Sequence, residues 1–296
     1  MTEEKLLIIS GTHGNEINPI WAVKKFQNQI SLNDKKRTLK FILGNPEAFK
    51  AKLRYIDVDL NRSFNLQKSE SEKNIYEIKR ANFLVSEFGE NSVNPFQIAV
   101  DLHTTTSNMG TSIVLYGRRE KDFCLAGVLQ SKFGLPIYLH ENDQKQSGFL
   151  VEAWPCGLVI EIGPVAQNHY DAEIVERFLT ILNFLDYLSR DFKTLSQNLP
   201  SQISVFVHQK SIDYPRDEKD NINALIHPSR INRDWLSLVK GEPLFLGVDG
   251  ENIYYEDKEV VYPVFVGEAA YREKRIAMSF TKKEIIKCSR KCINDF

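Results

Sequence analysis

The sequence lacks long apolar runs, a strong net charge and a secretion signal. No apolar segment of the 296 residues approaches the roughly 20 that a membrane-spanning helix needs. The 38 basic and 39 acidic residues nearly cancel, so no bulk electrostatic field favours nucleic acid or an anionic membrane. The acidic segment 1–5 does not resemble a signal peptide. We therefore expect no nucleic-acid or membrane partner and a cytoplasmic location.

Cysteine is also scarce. Cys124, Cys156, Cys288 and Cys292 are too few and too scattered for a disulfide framework. Cys288 and Cys292 lack the second Cys or His pair that a zinc finger would need. We predict four reduced thiols, in keeping with a cytoplasmic protein.

What the sequence does contain is an ordinary share of hydrophobic residues, 42%, and charged residues, 26%, with length enough for an ample core. Short apolar runs alternate with helical patterns in the first two thirds of the chain, which is typical of a parallel sheet covered by helices. After Pro200 the chain changes to short strand-like runs separated by turn signals such as Asp249-Gly250. We predict an α/β domain at 1–197 and a β-rich domain at 198–296.

Polar side chains follow three of the predicted strands, which we place at 6–9, 96–100 and 157–160. His13 and Glu16 follow the first of these strands. Ligands of open α/β sheets bind at the carboxyl ends of the strands, so parallel neighbours would bring such side chains together. A carboxylate and two imidazoles with an open position for water suit zinc. The three candidate ligands are His13, Glu16 and His103.

Zinc would lower the pKa of bound water to about 7 and supply a hydroxide nucleophile at neutral pH. Glu161, at the end of a later strand, is the candidate that would deprotonate this water and pass the proton to a leaving amine. A single H-x-x-E pair is common, and His103 is also explained as a core histidine held by Asp101. We expect the other histidines to be structural or exposed: His140, His169, His208 and His227.

A further polar group lies in the segment 54–64, which mixes charged and apolar residues. Arg54 and Arg62, with Asn61 beside them, suit the binding of a carboxylate or the stabilisation of an oxyanion. The alternative is that the arginines form structural ion pairs with Asp57 and Asp59. The residues alone leave both interpretations open.

Several segments resemble the signatures of the aspartoacylase family. Gly-Thr-His-Gly-Asn-Glu at 11–16 is the first, and the others cover nearly the whole chain, at 54–62, 101–110, 160–164, 213–218 and 262–271. The resemblance implies an amidohydrolase with one zinc ion per subunit that cleaves N-acetyl-L-aspartate to acetate and aspartate. It also implies a zinc-carboxypeptidase-like catalytic domain and a β-rich C-terminal domain that caps the active site.

The resemblance assigns roles to individual residues that match the family motifs. His13, Glu16 and His103 take the zinc positions. Glu161 takes the position of the general acid and base, and Arg54 that of the arginine that polarises the scissile carbonyl. The residues that would bind the substrate carboxylate are Asn61, Arg62 and Tyr271.

One segment departs from the family pattern. Human-type members carry another substrate-binding arginine shortly before the strand with the general base, whereas segment 144–154 here contains no arginine. Lys145 offers a charge but not a planar fork. Loss of one buried charge-assisted contact corresponds to roughly 2–3 kcal/mol of discrimination. An aminoacylase that acts on other N-acyl amino acids is therefore the main alternative.

Two other hypotheses remain from the sequence. A metallocarboxypeptidase would use the same ligand set on peptides. A catalytically silent zinc-binding protein would need neither Glu161 nor Arg54. We expect a small-molecule N-acyl amino acid as the partner, and the sequence leaves open whether the chain forms a homo-oligomer.

Overall fold

The computed structural model describes residues 6–30, 38–64, 74–143, 146–190 and 198–289. Within these ranges the strands, numbered in chain order, are β1 (Leu6–Ser10), β2 (Leu39–Leu43), β3 (Ile98–Thr104), β4 (Thr111–Tyr116), β5 (Ile137–His140), β6 (Cys156–Ile162), β7 (Gln202–Ile212), β8 (Ala224–Ile226), β9 (Pro243–Gly247), β10 (Asn252–Tyr254), β11 (Tyr262–Val264) and β12 (Met278–Lys287). The α-helices are α1 (Ile17–Gln29), α2 (Pro46–Ala51), α3 (Tyr76–Phe88), α4 (Glu120–Phe133) and α5 (Ala172–Arg190).

Local sequence explains several helix boundaries. Asn45 begins α2 because its side-chain oxygen accepts a hydrogen bond from the Ala48 amide at 3.2 Å. Asp171 does the same for α5, where it accepts from the amides of Glu173 and Ile174 at 2.8 and 3.2 Å. The buried residues of α5 recur every three or four positions, as an amphipathic helix requires.

Nine strands of the described residues form one mixed sheet in the order β11-β12-β7-β5-β4-β6-β3-β1-β2. One end of this sheet is parallel, because β1 pairs with β2 and β3, and β3 pairs with β6, in the same direction. β4 runs antiparallel to β6, and β12 runs antiparallel to β7. The predicted α/β class, with a mixed sheet flanked by helices, is confirmed.

Both faces of the sheet are covered, which accounts for the unbroken apolar runs of parallel strands such as β1. All five residues of β1 are buried. Ile8 packs with Phe26 and Phe178 on the face under α1 and α5. Leu7 and Ile9 point to the other face, where they share a core with Leu84 of α3.

Two strands extend further than the sequence pattern predicts. β3 continues to Thr104 and β6 to Ile162, so His103 and Glu161 lie within strands and not after them. The reason is mutual pairing, since the two strands stay in register up to Thr104 and Ile162. Helix α1 likewise begins at Ile17, two residues before Pro19.

The β-rich C-terminal region contributes to both sheets. Its strands β8, β9 and β10 form a separate three-stranded sheet, whereas β7, β11 and β12 join the main sheet. The junction is a parallel pairing of β5 with β7, in which Tyr138 lies opposite Phe206 and Leu139 opposite Val207. A division of the chain at 197/198 remains a prediction.

The cysteines differ in part from expectation. Cys156 and Cys288 are free thiols. Cys124, which is buried in α4, is disulfide-bonded, so the prediction of a reduced thiol is wrong at this position. The sequence gives no sign of it because a pairing depends on distances that only the fold creates. Cys292 lies outside the described residues. Among the helices that the structure describes, none combines the length and apolarity needed to cross a membrane.

Candidate active site

The site forms where the parallel strands β1, β3 and β6 end side by side. His103 of β3 lies directly opposite Glu161 of β6. His13 and Glu16 occupy the turn between β1 and α1. Gly14 is required in this turn, because a Cβ atom there would lie 2.1 Å from the backbone carbon of Ala48.

Three buried side chains bring their ligand atoms together in this turn and on β3. Nδ1 of His13 lies 2.6 Å from Oε1 of Glu16, and Nδ1 of His103 lies 3.0 Å from Oε2 of the same carboxylate. The two Nδ1 atoms are 3.1 Å apart. The structure therefore brings the three predicted metal ligands together, with all candidate ligand atoms within 4.8 Å of one another.

The outer nitrogens of both imidazoles face carboxylates. Nε2 of His13 lies 3.0 Å from Oδ1 of Asp59, and Nε2 of His103 lies 2.7 Å from Oδ2 of Asp101. A proton on each Nε2 would be donated to these carboxylates, and the Nδ1 lone pairs would then point toward Glu16. Carboxylate partners of this kind orient the histidines of zinc sites.

Two lone pairs and a carboxylate in contact need a cation between them. Burial lowers the pKa of His103, but the carboxylates of Asp101 and Glu16 outweigh it and raise the pKa well above its usual value. A proton would thus take the cation's place in the protein without metal. The donor set of two nitrogens and one carboxylate fits zinc. If His103 were only a core histidine held by Asp101, the convergence of the three ligand residues would remain unexplained.

Arg54 lies next to this cluster. Its Nη1 atom is 3.4 Å from Oε1 of Glu16, and its Nη2 atom is 3.3 Å from Oδ2 of Asp59. The alternative that Arg54 forms a structural ion pair is thus supported for Asp59. Asp57 instead accepts a hydrogen bond from the Tyr76 amide at 2.9 Å. Arg54 also lines the cavity that contains Glu161, so pairing with Asp59 does not withdraw it from the site.

Glu161 faces the same cavity without a partner for its inner oxygen. Its Oε2 atom is buried and makes no hydrogen bond with the residues that the structure describes. Burial raises the pKa of Glu161 to about 8, with the carboxylates of Glu16 and Glu268 acting in the same direction. A carboxyl group with a pKa near neutrality can both accept and donate a proton at pH 7.

The three predicted carboxylate-binding residues line this cavity as well. The side-chain oxygen of Asn61 accepts from the Leu150 amide at 2.9 Å, which leaves its NH₂ group for a ligand. Arg62 donates to the Asn61 carbonyl at 2.7 Å and to Gln146 Oε1 at 2.8 Å, and its guanidinium lies 4.0 Å from the Phe149 ring. Tyr271 comes from a short 3-10 helix at Ala269–Lys274.

Glu268, which has no predicted role, joins the strand-borne half of the site, with His103, to the half on the C-terminal region, with Tyr271. Its Oε2 atom accepts from the Thr106 amide at 2.8 Å, from Ser107 Oγ at 3.3 Å and from the Thr105 hydroxyl. Its Oε1 atom accepts from the Ala270 amide at 3.0 Å. The loop after His103 is thereby tied to the helix that carries Tyr271.

Two other residues of the site have contacts that the sequence does not predict. The sequence predicts Asp59 only as an ion-pair partner of arginine, yet its carboxylate also contacts His13. Lys274 approaches Asp59 at 3.5 Å, and burial together with the Arg62 charge lowers the pKa of Lys274 to about 8. The sequence signal for a role of Asp59 in the site is its position in the 54–62 motif. Lys145 lies outside the described residues.

Comparison with known proteins agrees with the fold. Residues 2–188 match the succinylglutamate desuccinylase/aspartoacylase catalytic domain, and residues 201–283 match the AstE/AspA barrel-sandwich hybrid domain. The chain belongs to the succinylglutamate desuccinylase/aspartoacylase family. The resemblance noted in the sequence is thus confirmed.

Individual members of this family are similar along their whole length. A probable aspartoacylase of Prochlorococcus marinus strain MIT 9515 is 60% identical over 100% of this chain and 99% of its own. Murine aminoacylase 3 superposes with a TM-score of 0.83 at 29% identity, covering 97% of this chain and 98% of its own. A succinylglutamate desuccinylase from Chromobacterium violaceum shares the fold, with a TM-score of 0.65 at 17% identity over 97% of this chain and 86% of its own.

Proposed function

We propose that this chain is a zinc-dependent deacylase that hydrolyses N-acetyl-L-aspartate to acetate and L-aspartate. The observation that carries the proposal is the convergence of two imidazole lone pairs and the Glu16 carboxylate beside Glu161 and Arg54. Zinc held by His13, Glu16 and His103 would supply Lewis acidity, which makes water a competent nucleophile at neutral pH.

Glu161 would handle the proton. Its free Oε2 atom accepts the proton that the attacking water loses, and the same carboxyl group then donates that proton to the leaving amine nitrogen. The raised pKa of Glu161, about 8, supports this second step, because the protonated form is accessible at neutral pH.

Arg54 would stabilise the negative charge that develops on the carbonyl oxygen. Its guanidinium is held in place by ion pairs with Asp59 and Glu16, so little reorganisation is needed during the reaction. Arg62, the Asn61 amide and the Tyr271 hydroxyl would hold the carboxylate of the amino acid and fix the orientation of the amide bond.

The alternative is an aminoacylase that acts on other N-acyl amino acids. The missing arginine in segment 144–154 and the similarity to murine aminoacylase 3 favour it. A metallocarboxypeptidase is less favoured, because Phe265, Glu268 and Tyr271 of the C-terminal region line the cavity and leave little room for a peptide. A capping domain at 198–296 and a cytoplasmic location remain parts of the proposal.

The test is a kinetic panel on zinc-loaded protein. We expect turnover of N-acetyl-L-aspartate and related N-acetyl amino acids, with loss of activity on chelation and recovery on zinc addition. Preferential cleavage of unblocked peptides would instead support the carboxypeptidase. Full activity after complete removal of metal would overturn the proposal.

A further inference from the structure

Arg54 and Asp59 of the site lie on a segment that belongs to no helix or strand. The segment, residues 53–59, follows helix α2. Apolar packing does little to fix it, because Leu53 and Ile56 are 52% and 41% exposed. An arginine that meets a developing charge acts best when its position is set in advance. Polar contacts must therefore hold the backbone of this segment.

Glu77, at the start of α3, binds the middle of the segment. Its side chain is fully buried. Oε1 accepts from the Ile56 amide at 2.6 Å, and Oε2 accepts from the amides of Asp57 and Val58 at 3.0 and 3.2 Å. Successive backbone N–H groups that point at one anion form a nest. Oε1 also accepts from Asn45 Nδ2 at 3.1 Å, so each oxygen of the carboxylate has two donors.

The segment bound by Glu77 is connected to the site at both of its ends. The carbonyl of Arg54 accepts from the amide of Gly14 at 3.1 Å, in the turn that follows β1. At the other end, Oδ2 of Asp59 lies 3.3 Å from Nη2 of Arg54. A shift of the amides of residues 56–58 would therefore move Arg54 relative to its partners.

Asn61 and Arg62, which would hold the substrate carboxylate, have support of their own. Leu60 beside them is completely buried. The side-chain oxygen of Asn61 accepts from the Leu150 amide at 2.9 Å. Neither of these contacts involves Glu77. A change at Glu77 should therefore affect the chemical step more than substrate binding.

We propose that Glu77 is a positioning residue, which fixes the amides of residues 56–58 and thereby sets the Arg54 guanidinium against the carbonyl oxygen of the substrate. The proposal rests on the proposed function, in which Arg54 stabilises the charge that develops on this oxygen. Glu77 is not among the described residues that line the catalytic cavity, so it acts through the backbone. A misplacement of about 1 Å can lower a rate by about 10²-fold.

The experiment compares Glu77→Gln and Glu77→Asp with the control Asp122→Asn. Glu77→Gln turns one accepting oxygen into an NH₂ group that faces backbone N–H groups. We expect kcat to fall by about 10- to 100-fold, with KM within about threefold and zinc content unchanged. Glu77→Asp keeps the charge and should restore part of kcat; it carries the same comparison where the amide prevents folding. Asp122 is a buried carboxylate that accepts from the Gly157 amide at 2.8 Å, so Asp122→Asn should lower stability but keep kcat within about threefold.

A double-mutant cycle separates positioning from a general loss of structure. In an Arg54→Ala background, Glu77→Gln should lower kcat by less than about threefold, because the group that Glu77 positions is gone. An equal loss of kcat in both backgrounds would overturn the proposal and make Glu77 a purely structural residue. Wild-type kcat in both Glu77 variants would also overturn it, while the deacylase proposal stands.

Hydrogen exchange at the amides of residues 56–58 provides a readout without turnover. These amides should be protected in the wild-type protein and should lose about tenfold or more of that protection in Glu77→Gln. Rapid exchange in the wild-type protein would overturn the proposal even in an active enzyme. Absence of turnover of every N-acyl amino acid by the wild-type protein would overturn the proposed function, and with it the catalytic part of Glu77.

Discussion

The two halves of the site are held by different kinds of force. His13, His103 and Glu161 are placed by parallel strands that are buried on both faces, so their positions depend on apolar packing. Tyr271 and Lys274 lie on a short 3-10 helix with no buried residue, which is held by the hydrogen bonds of Glu268. Changes in the first half should therefore affect the metal and the chemistry, and changes in the second half should affect substrate binding.

The largest effect is expected from His103→Ala. Removal of one of three ligands should empty the site and abolish activity, because two donors bind zinc weakly. Zinc content by elemental analysis is the measurement, and His169→Ala, at an exposed histidine, is the control. Stoichiometric zinc in His103→Ala would remove this residue from the ligand set.

Glu161→Gln should separate chemistry from metal binding. The amide can neither accept nor donate the catalytic proton, so we expect kcat to fall by about 10²- to 10⁴-fold while zinc stays bound. Steady-state kinetics together with the zinc content provide the check. Near wild-type kcat would show that another group carries the proton.

Zinc affinity should depend on pH through His103. The carboxylates of Asp101 and Glu16 raise the pKa of this imidazole in the metal-free protein, and the proton competes with zinc for Nδ1. As pH falls below that raised pKa, the affinity should drop by about tenfold per unit for each proton displaced. Competition titrations with a chelator from pH 8 to pH 5 measure the slope, and a flat profile would contradict the assignment.

Glu268→Gln tests the second half of the site. The amide cannot accept as many hydrogen bonds as the carboxylate, so buried donors of residues 105–107 lose their partner at a cost of about 1–3 kcal/mol. We expect a lower free energy of unfolding and a raised KM, with zinc content unchanged. Glu273→Gln, on the same helix but exposed, is the matched control. Loss of zinc in Glu268→Gln would contradict the division between the two halves.

The contrast between the two halves of the site also explains which of its residues the sequence predicted. Apolar runs ending in polar residues indicated the edge where His13, Glu16, His103 and Glu161 meet, because the period and burial of strands are local properties. The roles of Glu268 and Lys274 depend on contacts across some 160 and 215 positions of the chain, which no local pattern encodes. Asp59 is an intermediate case, because the sequence motif that contains it is recognisable but its contact with His13 depends on the fold.

The pairing of β5 with β7 limits how the protein can open. A sheet that continues from one region into the other resists a hinge between them, because bending would break the hydrogen bonds at Tyr138 and Leu139. Removal of the C-terminal region would also leave β5 as an exposed edge, a known route to aggregation. We therefore expect substrate and product to exchange by small movements of the Ala269–Lys274 helix, with the rest of the scaffold fixed.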